Sequence, residues 1–131
     1  MVPTSDSTGR TPHSVADLMT GDLITLLPIE SAARAHELLV GAGLHAVPVV
    51  DERGTAIGMV TMAEIGPEPD LSVPVGDLMV RPVVTISSDA TIGQAAALMR
   101  DEFIHHLVVT EGDSTVGILS TYDLLFVLAG R

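Results

Sequence analysis

The chain has 131 residues, and its 17 acidic and six basic residues give a formal net charge of −11. Such a charge disfavours nucleic acid and anionic membrane surfaces as partners, because both repel an acidic protein. The absence of cysteine excludes disulfides and thiolate chemistry, and three aromatic residues are too few for a base-stacking platform. No apolar run is long enough to span a bilayer, and the N-terminus lacks a signal-peptide pattern, which together predict a cytoplasmic protein.

Turn residues and hydrophobic periodicity divide the first half of the chain into short elements. Residues 1–13 are small and polar, which predicts a disordered tail. Ser31 precedes apolar residues at helical spacing, so we expect its side chain to cap a helix. The predicted elements are a helical turn at 15–19, a strand at 23–26, a helix at 31–40, strands at 46–50 and 56–61, and a short helix ended by Gly66.

The second half of the chain repeats the first half at an offset of sixty residues. One residue is lost in the hairpin turn, so the offset is fifty-nine afterwards. In the second copy Thr91 and Gln94 have the spacing of a capping box. The matching positions are 15–19 with 75–79, 23–25 with 83–85, Ser31 with Thr91, His45 with His105, and Gly58 with Gly117.

A repeat of this length predicts two copies of one supersecondary unit. Each copy reads helix–strand–helix–strand–strand–helix, which predicts a mixed α/β (α+β) fold with a small sheet covered by helices. We place the first repeat at residues 14–65, a proline-rich linker at 66–74 and the second repeat at 75–131. Neither copy is large enough to bury a good core alone, so we expect the two to pack with near two-fold symmetry.

Two strand-to-helix junctions, here called corners, combine a hydroxyl with a carboxylate. The second-repeat corner contains Ser120 and Asp123, and the first-repeat corner contains Thr61 and Glu64. A helix N-terminus beside a hydroxyl is a natural anion site, and a nearby carboxylate can accept hydrogen bonds from a ribose diol. The alternative is plain helix capping, which needs no ligand.

Three short motifs recur in each copy in the same order. They are the openings VADLMT (15–20) and VGDLM (75–79), the middles LHAVPVVD (44–51) and IHHLVV (104–109), and the two corners. Together they resemble the CBS domain in its usual tandem pair. The resemblance implies a stand-alone regulatory module that binds AMP, ADP, ATP or S-adenosylmethionine in clefts between the paired repeats and modulates a partner protein that the sequence does not identify. It implies no required cofactor.

The resemblance also implies which residues contact a nucleotide. The corner hydroxyl contacts phosphate, the acid three residues later holds the ribose, and the first strand and the strand after the long helix frame the adenine. The second-repeat cleft would use Val84, Thr85, His105, Leu107, Gly117, Ser120 and Asp123. A weaker cleft would use Ile24, Thr25, His45, Val47, Gly58, Thr61 and Glu64.

The weaker cleft departs from the family pattern at its acid. Glu64 stands where the family has aspartate, and its extra methylene moves the carboxylate by roughly an ångström, which disfavours ribose recognition. We therefore expect one good cleft. Arg81 is a candidate for contacting phosphate, and a solvated surface arginine is the alternative.

The sequence contains none of the patterns of catalytic or metal sites. It has no nucleophile–base motif, no phosphate-binding glycine loop and no histidine spacing typical of a metal site, so we predict a protein that is not an enzyme and holds no metal. Phosphate neutralisation or pH sensing is one interpretation of His45, His105 and His106, and a partly buried position on a strand is the alternative for His45 and His105.

The C-terminal stretch is apolar nearly all round a helix, which predicts cover by a second copy of the chain. The residues expected in that homodimer contact include Leu124, Leu125, Phe126 and Leu128. A ligand-independent dimeric structural or interaction module is the alternative function. In that case Phe103, Ile104 and His106 would fill the cleft.

Overall fold

A computed structural model describes residues 14–21, 23–66 and 70–129, with side chains as far as residue 127. The predicted tail at 1–13 and the side chain of Leu128 lie outside the described part. In chain order the elements are α1 (Val15–Leu18), α2 (Ala32–His36) with a π-helical continuation (Glu37–Gly41), β1 (Val47–Val50), β2 (Ala56–Val60), α3 (Met62–Ile65), a 3-10 turn (Val75–Asp77), β3 (Thr85–Ser87), α4 (Ile92–Glu102), β4 (His106–Glu111), β5 (Ser114–Ser120) and α5 (Thr121–Ala129).

The strands form two small sheets, which confirms the mixed α+β prediction. Strands β1 and β2 pair antiparallel, with Val47 opposite Val60. In the other sheet the order is β3-β4-β5, and β3 runs parallel to β4 with Thr85 opposite Val108. Helix α4 makes the crossover that two parallel neighbours require.

The first repeat lacks the strand predicted at 23–26. Only Leu26 remains paired, through a parallel bridge to Val49. The physical reason is Pro28. In the second repeat the N–H of Ser88 donates to the Thr110 carbonyl at 2.9 Å, whereas proline at the same repeat position has no N–H to donate. Losing that hydrogen bond shortens the strand.

The long helix of each repeat begins in a different way. Thr91 and Gln94 form the predicted capping box, with hydrogen bonds of 3.0 and 2.9 Å. The prediction for Ser31 was wrong, because its side chain makes no capping hydrogen bond. Instead the N–H groups of Ala32 and Ala33 donate to carbonyls of the linker at 2.7 and 3.0 Å, so the described linker residues form part of the fold.

The chain divides into two compact units, and each contains a piece of both repeats. The first-repeat unit comprises residues 23–84 and 113–115, and the second-repeat unit comprises residues 14–21, 85–112 and 116–129, within the described residues. Each repeat's opening segment therefore packs on the body of the other repeat.

Equivalent hydrogen bonds fix the exchanged opening segments. Val15 N–H donates to the Ala90 carbonyl at 2.9 Å, and Val75 N–H donates to the Glu30 carbonyl at 2.7 Å. Both valines are completely buried. The two bonds are related by the sixty-residue offset, so the internal repeat extends to the tertiary contacts.

Candidate functional site

The second-repeat corner lies where β5 passes directly into α5. The Ser120 hydroxyl oxygen accepts a hydrogen bond from the Asp123 N–H at 3.0 Å. In return one carboxylate oxygen of Asp123, Oδ2, accepts the Ser120 N–H at 2.8 Å. These reciprocal bonds form a capping box. Within the described residues, the Ser120 hydroxyl hydrogen and the second Asp123 oxygen, Oδ1, have no partner.

The first-repeat corner has the same frame, but its polar groups are bonded differently. Glu64 Oε1 accepts the Thr61 N–H at 2.6 Å and also the Thr61 hydroxyl at 2.8 Å. The Thr61 hydroxyl oxygen accepts the Ala63 N–H at 3.2 Å. The threonine hydroxyl is thus already both donor and acceptor. The longer glutamate side chain folds back and accepts the hydrogen bond of the Thr61 hydroxyl, so that this hydrogen is not available to a ligand.

The helices that follow the corners also differ. Helix α5 extends for nine residues, whereas α3 has only four. The electrostatic attraction of a helix N-terminus for an anion comes from its aligned peptide dipoles and its unpaired N–H groups, so a single turn offers less of it. Both the hydrogen bonds and the helix length favour the second-repeat corner as an anion site.

Thr121, which none of the recurring motifs indicated as a site residue, extends the second-repeat corner. Its N–H donates to the His105 carbonyl at 2.8 Å, and its hydroxyl lies 3.5 Å from His105 Nδ1. The equivalent residue in the first repeat is Met62, which has no hydroxyl. This departure from the repeat is the signal that could have identified Thr121.

The remaining second-repeat residues gather at one end of the three-stranded sheet. Thr85 begins β3 and is exposed, with Val84 half-buried before it. His105 precedes β4 and is exposed, and the Thr121 bond joins it to the end of β5. Leu107 is completely buried, so its side chain belongs to the core.

Gly117 in β5 lies against the exchanged opening segment. A Cβ atom there would be 2.6 Å from Met19 Sδ and 2.9 Å from the Thr20 carbonyl oxygen. At Gly58, the matching position, a Cβ atom would be 2.3 Å from Met79 Sδ. In each repeat, the strand that leads into the corner thus has a glycine packed against a methionine thioether. The glycine and the methionine both recur at equivalent positions, but no sequence motif indicated that they touch.

The weaker set lies within the first-repeat unit. Ile24 and His45 are exposed, Thr25 is half-buried and Val47 is completely buried. Arg81 is exposed and follows Val80, which bridges to Met59 in β2. Arg81 therefore belongs to the first-repeat unit, whereas Ser120 belongs to the second-repeat unit.

Other electrostatic features lie away from the corners. The pKa of Asp70 is lowered by hydrogen bonds from the Ser72 hydroxyl and N–H, and the pKa of Arg100 is raised by its hydrogen bond to Asp101. Across the described ranges, His, Asp and Glu side chains nowhere cluster in a way that could hold a metal ion. Among the described residues, every helix is too short or too polar to cross a bilayer.

Comparison with curated proteins identifies relatives that are mostly longer. An uncharacterized protein of Methanopyrus kandleri is 30% identical over 120 residues, which cover 86% of this chain and 61% of the relative. Homoserine O-acetyltransferase of Methanocorpusculum labreanum is 32% identical over 120 residues, which cover 87% of this chain and 24% of that protein. The chain spans less than two thirds of the length of either relative.

Solved structures with the same fold include ligand complexes. CBSX2 in complex with AMP has a TM-score of 0.75 at 23% identity, covering 87% of this chain and 94% of that chain. The CBS domain pair of protein MJ0100 in complex with 5′-methylthioadenosine and S-adenosyl-L-methionine has a TM-score of 0.78 at 23% identity, covering 89% and 97%. The family model for the CBS domain matches residues 15–65 and 75–130, so the chain belongs to the CBS domain family.

Proposed function

We propose that this chain is a regulatory module that binds an adenine-containing nucleotide, namely AMP, ADP, ATP or S-adenosylmethionine, at the second-repeat corner. The observation that carries the proposal is the pair of unused groups at that corner. The Ser120 hydroxyl hydrogen and Asp123 Oδ1 have no partner in the described part, although both belong to half-buried residues. A polar group that has lost part of its hydration gains from a partner that replaces the missing water.

The two groups suit opposite ends of a nucleoside ligand. A serine hydroxyl at the start of a nine-residue helix donates to an anion, such as a phosphate or the carboxylate of S-adenosylmethionine. A carboxylate oxygen accepts hydrogen bonds from the two ribose hydroxyls, and charge-assisted bonds of this kind are strong. In this proposal Thr85 and the backbone around His105 border the base, since they lie at the same end of the sheet.

The first-repeat corner is a poorer site in this proposal. Thr61 can donate to a ligand only after its bond to Glu64 breaks, so binding there carries an additional cost. The solved CBS pairs with AMP and with S-adenosyl-L-methionine support the choice of ligand class.

Regulation follows if the nucleotide favours one conformation of the module over another. A ligand with equal affinity for both conformations would shift nothing, however tightly it bound. The regulated protein is a separate partner or another part of a longer polypeptide, and in this proposal the chain itself is not an enzyme. One relative has the name of an enzyme, homoserine O-acetyltransferase, but the match covers only 24% of that protein. The name therefore gives little reason to expect catalysis by this chain.

Isothermal titration calorimetry with the four nucleotides tests the proposal. The informative variant is Asp123→Asn, because its amide oxygen can still accept the Ser120 N–H while the free position becomes a donor. We expect affinity to fall by at least about tenfold. The matched control is Glu64→Gln in the first-repeat corner, for which affinity should change less than about twofold.

Two results would contradict the proposal. One is the absence of heat with all four nucleotides on the unsubstituted protein. The other is an equal loss of affinity in Asp123→Asn and Glu64→Gln, which would mean that the corners do not differ in the way that their hydrogen bonds suggest. Circular dichroism of both variants would verify that the helices remain intact.

A further inference from the structure

The second-repeat unit, which contains the second-repeat corner, is strongly acidic. With histidines counted as neutral, its described residues carry six carboxylates and one cation, a formal charge of −5. The field of such a unit repels anions and attracts cations, so it bears on which ligand the corner can bind. The carboxylates are those of Asp17, Asp89, Asp101, Glu102, Glu111 and Asp123, and the cation is Arg100.

Arg100 already has an acidic partner. Its Nε donates to Asp101 Oδ1 at 2.9 Å, and this hydrogen bond raises the pKa of Arg100. Both side chains are exposed, so water surrounds the ion pair and its two opposite charges largely cancel at a distance. Glu102 follows directly, and the described part of this unit holds no second cation to balance it.

The C-terminal end of α4 lies beside the second-repeat corner. The Thr121 hydroxyl is 3.6 Å from Met99 Sδ, and the Thr121 N–H donates to the His105 carbonyl at 2.8 Å. The C-terminal end of a helix carries a partial negative charge, and Asp101 and Glu102 lie in the last turn of α4. The negative end of α4 therefore opposes the positive end of α5 next to the position proposed for the anionic group of the ligand.

The corner also has few hydrogen-bond donors left for a phosphate. Of the first three N–H groups of α5, that of Thr121 donates to the His105 carbonyl, and that of Asp123 donates to the Ser120 hydroxyl oxygen at 3.0 Å. The Asp123 carboxylate adds a full negative charge at the same place. Proteins ordinarily offset the charge of a polyphosphate with arginine, lysine or a metal ion. The described residues of this unit supply one cation, and it is already paired.

We infer that the second-repeat corner selects adenosyl ligands that carry no phosphate, S-adenosylmethionine foremost, over AMP, ADP and ATP. The inference rests on the proposed function and names the ligand class for the same site. S-adenosylmethionine carries a carboxylate, an ammonium and a sulfonium group, so it is a net cation. Its carboxylate needs a donor such as the Ser120 hydroxyl, and its two cationic groups gain from the acidic surroundings. ATP, with several negative charges, is repelled by the same surroundings.

Isothermal titration calorimetry of the full chain at about pH 8 in magnesium-free buffer tests this inference. Histidine is ordinarily neutral at that pH, so the charge of each ligand is compared against carboxylates and arginine alone. We expect S-adenosylmethionine to bind at least about tenfold more tightly than ATP, with AMP between them. Raising sodium chloride from about 50 to about 500 mM should weaken the binding of S-adenosylmethionine and strengthen that of ATP, because salt screens both the attraction and the repulsion. A phosphate site lined by cations would show the opposite salt dependence for ATP.

Charge reversal at the two ends of α4 gives a matched pair of variants. Glu102→Lys places a cation in the last turn, beside the corner, whereas Asp89→Lys changes the charge of the unit equally but lies before the start of the helix. An 11-residue helix is about 16 Å long, so salt screens the more distant lysine far more strongly at the corner. We expect Glu102→Lys to raise the affinity for ATP by about threefold and to lower that for S-adenosylmethionine. Asp89→Lys should change either affinity by less than about 1.5-fold.

Both substituted side chains are exposed, so the fold should tolerate either lysine. Circular dichroism of the two variants verifies that it does. Loss of the tightest binding in Asp123→Asn would assign that binding to the second-repeat corner.

Several outcomes would overturn the inference. Tighter binding of ATP or AMP than of S-adenosylmethionine, lost in Asp123→Asn, would refute this ligand class and leave the proposed function in place. Equal effects of Glu102→Lys and Asp89→Lys would show that the charges beside the corner do not select the ligand. A marked loss of ATP affinity in Arg81→Gln would show that the first-repeat unit supplies a phosphate-binding cation. No heat with any of these ligands would refute the proposed function itself, and this inference with it.

Discussion

The two corners share the same strand-to-helix backbone, but the hydroxyl hydrogen is already bonded at only one of them. At the first-repeat corner the Thr61 hydroxyl is donor to Glu64 and acceptor from Ala63. At the second-repeat corner the Ser120 hydroxyl accepts one bond and keeps its hydrogen. One methylene in the acid accounts for this difference, since only the glutamate reaches back to the hydroxyl. An internal repeat can thus retain its fold while one copy loses a polar group suited to a ligand.

The largest effect is expected at Gly117 and Gly58, the two strand glycines that pack against methionine side chains. We expect Gly117→Ala to destabilise the protein by about 2–3 kcal/mol, because the new methyl group would meet the Thr20 backbone oxygen, which cannot move away. Gly58→Ala should cost about 1 kcal/mol, because its new neighbours are the flexible side-chain atoms of Met79. Urea unfolding measures both, and equal losses would contradict the proposed difference between the two contacts.

Converting the first-repeat corner into a copy of the second-repeat corner would sharpen the comparison. In the double variant Thr61→Ser with Glu64→Asp, the shorter acid should release the hydroxyl. We expect calorimetry to detect a second nucleotide bound per chain, with an affinity within about tenfold of the first. If only one nucleotide binds, the short helix α3, rather than the carboxylate length, would be what limits this corner.

The smallest effects are expected at Phe103 and Gly43, which follow the long helix of each repeat at equivalent positions and both have a positive φ. Phe103→Gly should stabilise the protein by about 0.5–1 kcal/mol, because glycine adopts this backbone without strain and the phenylalanine ring is exposed. Gly43→Ala should destabilise by about 1 kcal/mol for the converse reason. Thermal unfolding of both variants measures these changes. A loss of stability in Phe103→Gly would show that the ring packs within its own unit.

Features that depend on nearby residues were predictable from the sequence. The repeat, the order of elements and the pairing of Ser120 with Asp123 all follow from short-range spacing, because a capping box joins residues three apart. The loss of the strand at Leu26 was also foreseeable in principle, since Pro28 lacks the N–H that Ser88 uses.

Features that depend on distant residues were not predictable. The N–H groups at the start of α2 donate to carbonyls about forty residues away in the chain. The residues around Ser31 therefore give no sign that its side chain is not the cap. The bond from the Thr61 hydroxyl to Glu64 joins nearby residues, but spacing alone does not show that the longer acid accepts from the hydroxyl as well as from the N–H. The exchange of opening segments is ambiguous for a repeat, because nearly identical segments could each pack on either body.

That exchange predicts how a fragment of this protein would behave. A polypeptide carrying only one repeat would have its opening segment but not the segment that its own body binds. Val15 and Val75 are each completely buried on the other repeat's body, so the fragment would leave an empty apolar groove. Two such fragments could fill each other's grooves by domain swapping, which makes the intermolecular pair the smallest unit in which a single repeat can complete its core.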